Sequence, residues 1–201
     1  MKKMKANILV IMALLLLPGM VFQANSQKMK SIFNGKDLKG WVAPENNVWW
    51  SVADGMLSVE NGPDRKESIL WTKGSYENFV VQLDFKFGKG TVDSGVFLRN
   101  DSQQIQIGIS GSLKRDLTCS PYIPGKGYPV EAEGVEDLLK QDDWNTMKIQ
   151  AIGNVYTVWL NGSQVLTYTS DNAIDQGPIG LQLHQKNEMS IDFKNISVGK
   201  L

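Results

Sequence analysis

Hydrophobic and polar positions alternate along most of this chain with the period of a β-strand. Phe79, Val81, Leu83, Phe85 and Phe87 are interleaved with Val80, Gln82, Asp84 and Lys86. That two-residue period is expected of a strand with one face on a core. Val92-Asp-Ser-Gly-Val-Phe-Leu-Arg99 repeats it, with Val96 and Leu98 on one side and Gly95, Phe97 and Arg99 on the other. Gln104-Ile-Gln-Ile107 sets Ile105, Ile107 and Ile109 against Gln104 and Gln106. Gly180-Leu-Gln-Leu-His184 places Leu181 and Leu183 inward and Gln182 with His184 outward. Arginine, glutamine and histidine on well-formed strand faces predict a polar floor. The expectation is one sheet whose concave face gathers Arg99, Gln104, Gln106, Gln182 and His184.

Turn chemistry divides the remaining strands. Asp54-Gly55 lies between Trp49–Val52 and Met56–Val59, and Asn161-Gly162 joins Val155–Leu160 to Val165–Tyr168. Both dipeptides tolerate the positive φ that tight hairpins demand. Asn34-Gly35 marks a turn, and strands are predicted at Ile69–Trp71, Trp144–Ile152, Ile179–His184 and Met189–Val198. Between Ser110 and Asp143 runs a long connection rich in proline and glycine, helical only over Val135–Lys140. A connection of that length in a compact domain is usually functional, and it is expected to cap the site. Many short strands, one weak helix and no repeat predict an all-β fold, a sandwich or jelly roll of antiparallel sheets.

The N-terminus changes the picture only at its edge. Lys2, Lys3 and Lys5 precede an apolar run from Ile8 to Leu17, broken by Pro18-Gly19, and small residues follow at Ala24-Asn25-Ser26. This is the pattern of an export signal spanning residues 1–26, with one domain over 27–201. The apolar run is short for a membrane span, so no integral membrane segment is expected after its removal, and the protein should be periplasmic or extracellular. Acidic and basic residues balance in the whole chain, which makes the remainder mildly acidic and argues against nucleic acid. The single cysteine, Cys119, rules out an intrachain disulfide.

Phe33-Asn-Gly-Lys-Asp-Leu-Lys-Gly-Trp41, Trp50-Ser-Val-Ala-Asp-Gly-Met-Leu57, Asp93-Ser-Gly-Val-Phe-Leu-Arg99 and Gln104-Ile-Gln-Ile107 follow one another along the chain. Trp144-Asn145, Trp159-Leu-Asn-Gly162, Gly177-Pro-Ile-Gly-Leu-Gln-Leu-His184 and Phe193-Lys-Asn-Ile196 complete the series. In this order they resemble the 3-keto-disaccharide hydrolase domain, a concanavalin-like jelly roll of exported bacterial proteins. The resemblance implies a sugar-active protein that cleaves a 3-keto-glycoside by hydrolysis or 1,2-elimination. Members of that family usually carry glutamate at the position of Gln104, often Asn-Ser-Gly in place of Asp93-Ser-Gly, and commonly glycine in place of Gln185.

A 3-keto-glycoside needs a base for its acidified C2 proton, a donor or cation for the enolate oxygen, and a surface that holds hydroxyls. His184, the only histidine, is the expected base or metal ligand. Arg99 is the expected oxyanion or hydroxyl anchor; an ion pair with Asp93 or Asp101 is its ordinary alternative. Gln104, Gln106 and Gln182, with Asp93 and Tyr122, form the expected substrate-binding set. One or two of the six tryptophans, together with Tyr122 and Tyr128, are expected to line the cleft. The resemblance leaves a divalent metal ion open, with Asp93, Asp101, Glu131, Glu133 and Asp192 as oxygen donors beside His184, although one histidine and one cysteine exclude multi-histidine zinc sites. A glycosidase carboxylate pair, a Cys119 nucleophile and a serine triad are weaker enzymatic readings. A non-catalytic carbohydrate-binding module, and a structural surface protein with no small ligand, are the alternatives from other classes.

Overall fold

A computed structural model describes residues 28–201. The expected export signal lies outside the described residues. In chain order the strands are β1 (Lys30–Ser31), β2 (Trp41–Val42), β3 (Trp50–Ala53), β4 (Met56–Glu60), β5 (Ser68–Thr72), β6 (Phe79–Gly90), β7 (Asp93–Leu98), β8 (Gln104–Gly108) and β9 (Pro121–Tyr122). The short helix α1 (Val135–Leu138) follows, then β10 (Asn145–Ile152), β11 (Val155–Leu160), β12 (Ser163–Thr169), β13 (Ile179–Leu183) and β14 (Met189–Lys200).

They form two antiparallel sheets. The larger has the order β12, β11, β10, β6, β14, β4, β3, with β1 added against β14. The smaller runs β2, β5, β13, β7, β8, β9. The core lies between them, because each sheet turns its apolar parity inward. Leu83 and Phe85 of β6, Ile149 of β10, Val158 of β11 and Phe193 of β14 come from one sheet. Leu70 of β5, Val96 and Leu98 of β7, Ile105 and Ile107 of β8 and Leu181 and Leu183 of β13 come from the other. These side chains are almost fully shielded, and each removed from water stabilises the fold by about 1.5–3 kcal/mol.

The two sheets differ on their outer faces. In β10 and β11 buried residues alternate with half-exposed ones, as on a solvated face. Every residue of β7, β8 and β13 is buried. The outer face of the smaller sheet is therefore shielded by neighbouring side chains and loops, among them the connection between β8 and β10. That connection folds back to add β9 as an edge strand, with Gln104 opposite Tyr122 and Ile105 opposite Pro121. The proline sits where an edge strand tolerates one.

Both hairpin signals act as expected. Asp54 and Gly55 have φ of 51° and 77°, and Asn161 and Gly162 have 49° and 92°. Asn161 also fastens the hairpin to its surroundings, its Nδ2 donating to Asn145 Oδ1 at 2.9 Å and to the Leu138 carbonyl at 2.8 Å. Asn145, fully buried, donates in turn to the Lys140 and Asp143 carbonyls. Two of the segments that carry the family resemblance thus serve the scaffold, away from the covered face.

Candidate active site on the smaller sheet

Strand register sorts the outer face of the smaller sheet into three rungs. The first crosses Trp71, Gly180, Phe97, Gln104 and Tyr122, each paired with the next. The second carries Ile69 opposite Gln182 and Gly95 opposite Gln106. The third brings His184 beside Asp93, its backbone N–H donating to the Asp93 carbonyl at 3.3 Å, with Gly108 opposite Asp93. An aromatic rung, an amide rung and an acid–base rung follow one another along the strands.

Glycine lets the side chains lean between rungs. A Cβ on Gly95 would stand 2.1 Å from Gln104 Nε2, so only glycine leaves room for that amide to cross. Having crossed, Gln104 Nε2 donates to Gln182 Oε1 at 2.6 Å and to the Ser94 carbonyl at 3.3 Å. Gln182 Nε2 reaches Glu67 Oε1 at 3.4 Å. Gln106 Nε2 leans the other way and donates to Asp93 Oδ1 at 2.8 Å.

The remaining oxygen of that carboxylate, Asp93 Oδ2, lies 3.6 Å from His184 Nδ1. The same nitrogen is 2.9 Å from the Gln185 carbonyl. A carbonyl can only accept, so Nδ1 carries the hydrogen and Nε2 of the neutral ring keeps its lone pair. The Asp93 side chain is 5 % exposed and the His184 side chain 34 %. The carboxylate is thus withdrawn from water behind an imidazole that still meets the cleft.

Loops raise walls around this floor and leave a cleft of about 620 Å³, well within the range of small-ligand sites. Ser110, Gly111, Ser112, Lys114, Tyr122, Pro124 and Tyr128 come from the long connection, Gln185, Lys186 and Asn187 from the turn after β13, and Asp101 from the turn after β7. Gly111 presses closely enough that a Cβ there would lie 2.8 Å from Asp93 Oδ2. The Tyr122 and Tyr128 rings meet at 5.2 Å between centroids. Burial pushes the Tyr128 hydroxyl up to about 12, against a smaller lowering by its hydrogen bond with Ser110, while the charge of Asp93 adds to the rise. Tyr128 is therefore a proton-bearing donor throughout the ordinary pH range.

Of the residues expected at the site, His184, Asp93, Gln104, Gln106, Gln182 and Tyr122 all line the cleft. Arg99 does not. Strand β7 ends at Leu98, and Arg99 takes a φ of 71°, which turns its side chain off the face that strict alternation assigned to it. Its guanidinium donates to the carbonyls of Glu77, Gly153 and Ile174 instead. Arg99 is a buried clamp on three loops, outside the cleft lining and paired with neither Asp93 nor Asp101.

Other expectations are corrected in the same way. No tryptophan lines the cleft: Trp41 and Trp50 are core, Lys194 covers Trp144 and Lys148 covers Trp159, and Trp71 lies over Gly180 beside Phe97. The long connection caps the site only with its first half. Residues near α1 shape a separate hollow. Cys119 is fully buried and burial raises its thiol well above the ordinary range, which withholds the thiolate a nucleophile needs. Glu131 is held by Arg115, and Asp192 belongs to the other sheet. Among the described residues no three His, Cys, Asp or Glu side chains converge as a metal cage. Asp93 and His184 face each other without a third such donor, so the residues present do not fit a metal ion.

Several cleft residues carried weaker sequence signals. Phe97 shares its parity with Gly95, so its place was readable. Glu67 stands one residue before β5 and shares the parity of Ile69, whereas Gly111, Lys114 and Lys186 sit in connections, where no period assigns a direction.

Comparison with known proteins agrees with this fold. A chain of 25 % identity, a provisionally assigned glycosyl hydrolase from Parabacteroides distasonis, superposes with a TM-score of 0.63 over 87 % of this chain and 100 % of its own. A second protein of the same description and organism, 18 % identical, gives 0.64 over 86 % and 94 %. A protein of galectin-like fold from Bacillus subtilis, 15 % identical, gives 0.59 over 86 % and 94 %, in keeping with the expected jelly-roll sandwich. No curated protein matches the sequence. The model of the 3-keto-alpha-glucoside-1,2-lyase-like domain matches residues 28–199, nearly all of the described chain, and the protein belongs to that family.

Proposed function

We propose that this protein is a carbohydrate-active enzyme that removes the C2 proton of a 3-keto-glycoside and so releases its aglycone. The observation that carries the reading is the His184–Asp93 pair, with the imidazole's Nδ1 tied to the Gln185 carbonyl and the residue lining the cleft. The family match and the resemblance to glycosyl hydrolases support it.

The ketone at C3 acidifies the hydrogen on C2. His184 Nε2 takes that proton, and the C2–H electrons form an enolate whose charge rests on the C3 oxygen. Asp93 stabilises the resulting imidazolium at short range. The Tyr128 hydroxyl, on a residue that lines the cleft beside Ser110, is the donor proposed for the enolate oxygen. The enolate then collapses to restore the ketone, C1 and C2 become doubly bonded, and the C1–oxygen bond breaks. Its electron pair leaves with the aglycone oxygen, which takes up the proton that His184 removed from C2 and so returns the imidazole to its neutral form. Water added across that double bond gives net hydrolysis; without it the product is an unsaturated keto-sugar. The amides of Gln104, Gln106 and Gln182 hold hydroxyls meanwhile.

A second reading, sugar binding without turnover, has one observation in its favour: the central rung is built of amides, which bind hydroxyls but do not move protons. Incubation with a 3-keto-glucoside separates the two. The enzyme reading expects aglycone release that His184→Ala abolishes, whereas the binding reading expects saturable affinity and no product. We further propose export to the periplasm or beyond, on the pattern of residues 1–26, which sequencing the N-terminus of the processed protein tests.

A further inference from the structure

We infer that the end of the cleft remote from His184 is a subsite for an aryl group, so that the favoured ligands are 3-keto-glycosides of phenolic aglycones. The inference rests on the proposed function for the sugar half of the ligand and goes beyond it for the other half.

Asp93 and Phe97 are four residues apart on one strand, about 13 Å at strand spacing. That span accommodates two six-membered rings in succession. A sugar whose C2 faces His184 lies over the third and second rungs, where hydroxyl-binding groups are concentrated. Its substituent at C1 then falls on the first rung. Phe97 forms the floor there, with Tyr122 opposite Gln104 on the neighbouring strand. Tyr128 stands over Tyr122 at 5.2 Å between centroids, inclined by 55°, and Ile69 and Pro124 complete an apolar lining.

The Gln104 amide has crossed to the second rung, where its nitrogen donates to Gln182 Oε1 and the Ser94 carbonyl. The polar groups left at this end are the Tyr122 hydroxyl and the Asp101 carboxylate, so a second sugar would find ring faces but few partners for its hydroxyls. Unpaired hydroxyls are costly against an apolar wall. A flat aromatic ring loses nothing there and gains offset or edge-on contact with two tyrosines and a phenylalanine.

Phenols also leave more readily than alkyl alcohols, so turnover alone would not isolate the subsite. The test is equilibrium binding to the full-length processed protein carrying His184→Ala, which prevents consumption of the ligand. Phenyl, methyl and glucosyl 3-keto-glucosides are titrated in parallel. The expected result is phenyl binding about tenfold tighter than methyl or glucosyl, as one aromatic contact allows. That ratio should collapse in Tyr122→Ala and persist in Tyr122→Phe, which separates the ring from its hydroxyl. Equal affinity for phenyl and methyl, or tighter binding of the glucosyl compound, overturns the inference. If the phenyl advantage is found but the unmutated protein releases no aglycone from any of the three, the subsite stands and the catalytic reading falls. No binding of any of them overturns both.

Discussion

Asp93 Oδ2 stands 3.6 Å from His184 Nδ1, while Asp93 Oδ1 accepts from Gln106 Nε2 at 2.8 Å. One carboxylate thus joins the amide proposed to hold sugar to the imidazole proposed to take the proton. Asp93→Asn keeps an acceptor for Gln106 and removes the negative charge behind the ring. The expected result is a fall in kcat of about 100-fold with KM little altered, since the charge matters once the imidazole is protonated. Steady-state kinetics with a 3-keto-glucoside read it directly.

Gly95 is the gap through which Gln104 reaches Gln182. In Gly95→Ala the new methyl would stand 2.1 Å from Gln104 Nε2, and the amide must swing away from Gln182. The fold should lose about 1–3 kcal/mol, read by urea denaturation. Affinity for a 3-keto-glycoside should weaken more than in a control substitution of similar stability cost on the outer face of the larger sheet.

Arg99 makes the opposite prediction. Truncation in Arg99→Met strands the carbonyls of Glu77, Gly153 and Ile174. A loss of about 3 kcal/mol is expected, because buried acceptors that lose a charged donor are costly. Ligand affinity of the folded fraction should be unchanged. Denaturation and titration on the same sample separate this clamp from a substrate anchor.

These cases mark what the chain discloses by pattern alone. Gln104, Gln106, Gln182, His184 and Asp93 converge because each lies on a strand or one residue past it, where a period of two fixes the face. Arg99 was misplaced by a single residue: alternation was carried beyond Leu98, and a positive φ broke it. Strand β9 was not foreseen because two residues show no period, and Pro121 argues against a strand except at an edge. The turns that wall the cleft carry direction in their backbone torsions, which residue type constrains only loosely. The tryptophans misled for a different reason. Composition supplies indoles without saying which face they pack on: the lysine over Trp159 comes from the neighbouring strand β10, and the one over Trp144 from β14, on the far side of β6.

Alkaline titration tests the buried hydroxyls. Desolvation pushes Tyr128 and Tyr156 up to about 12 from an ordinary 10. Between those values the unfolded chain releases these protons while the folded one retains them, so stability should fall as pH rises from 10 to 12. Below pH 10 neither tyrosine contributes to the slope. Tyr128→Phe should flatten the alkaline decline, measured as urea midpoints across the range.

The proton on C2 offers the most direct test of the account. A 3-keto-glycoside is incubated with the protein in heavy water, and loss of the C2–H signal is followed by NMR beside aglycone release. The expected result is enzyme-dependent loss of that signal, abolished in His184→Gln while the variant still binds the ligand. C2–H loss and aglycone release that continue undiminished in His184→Gln would contradict it.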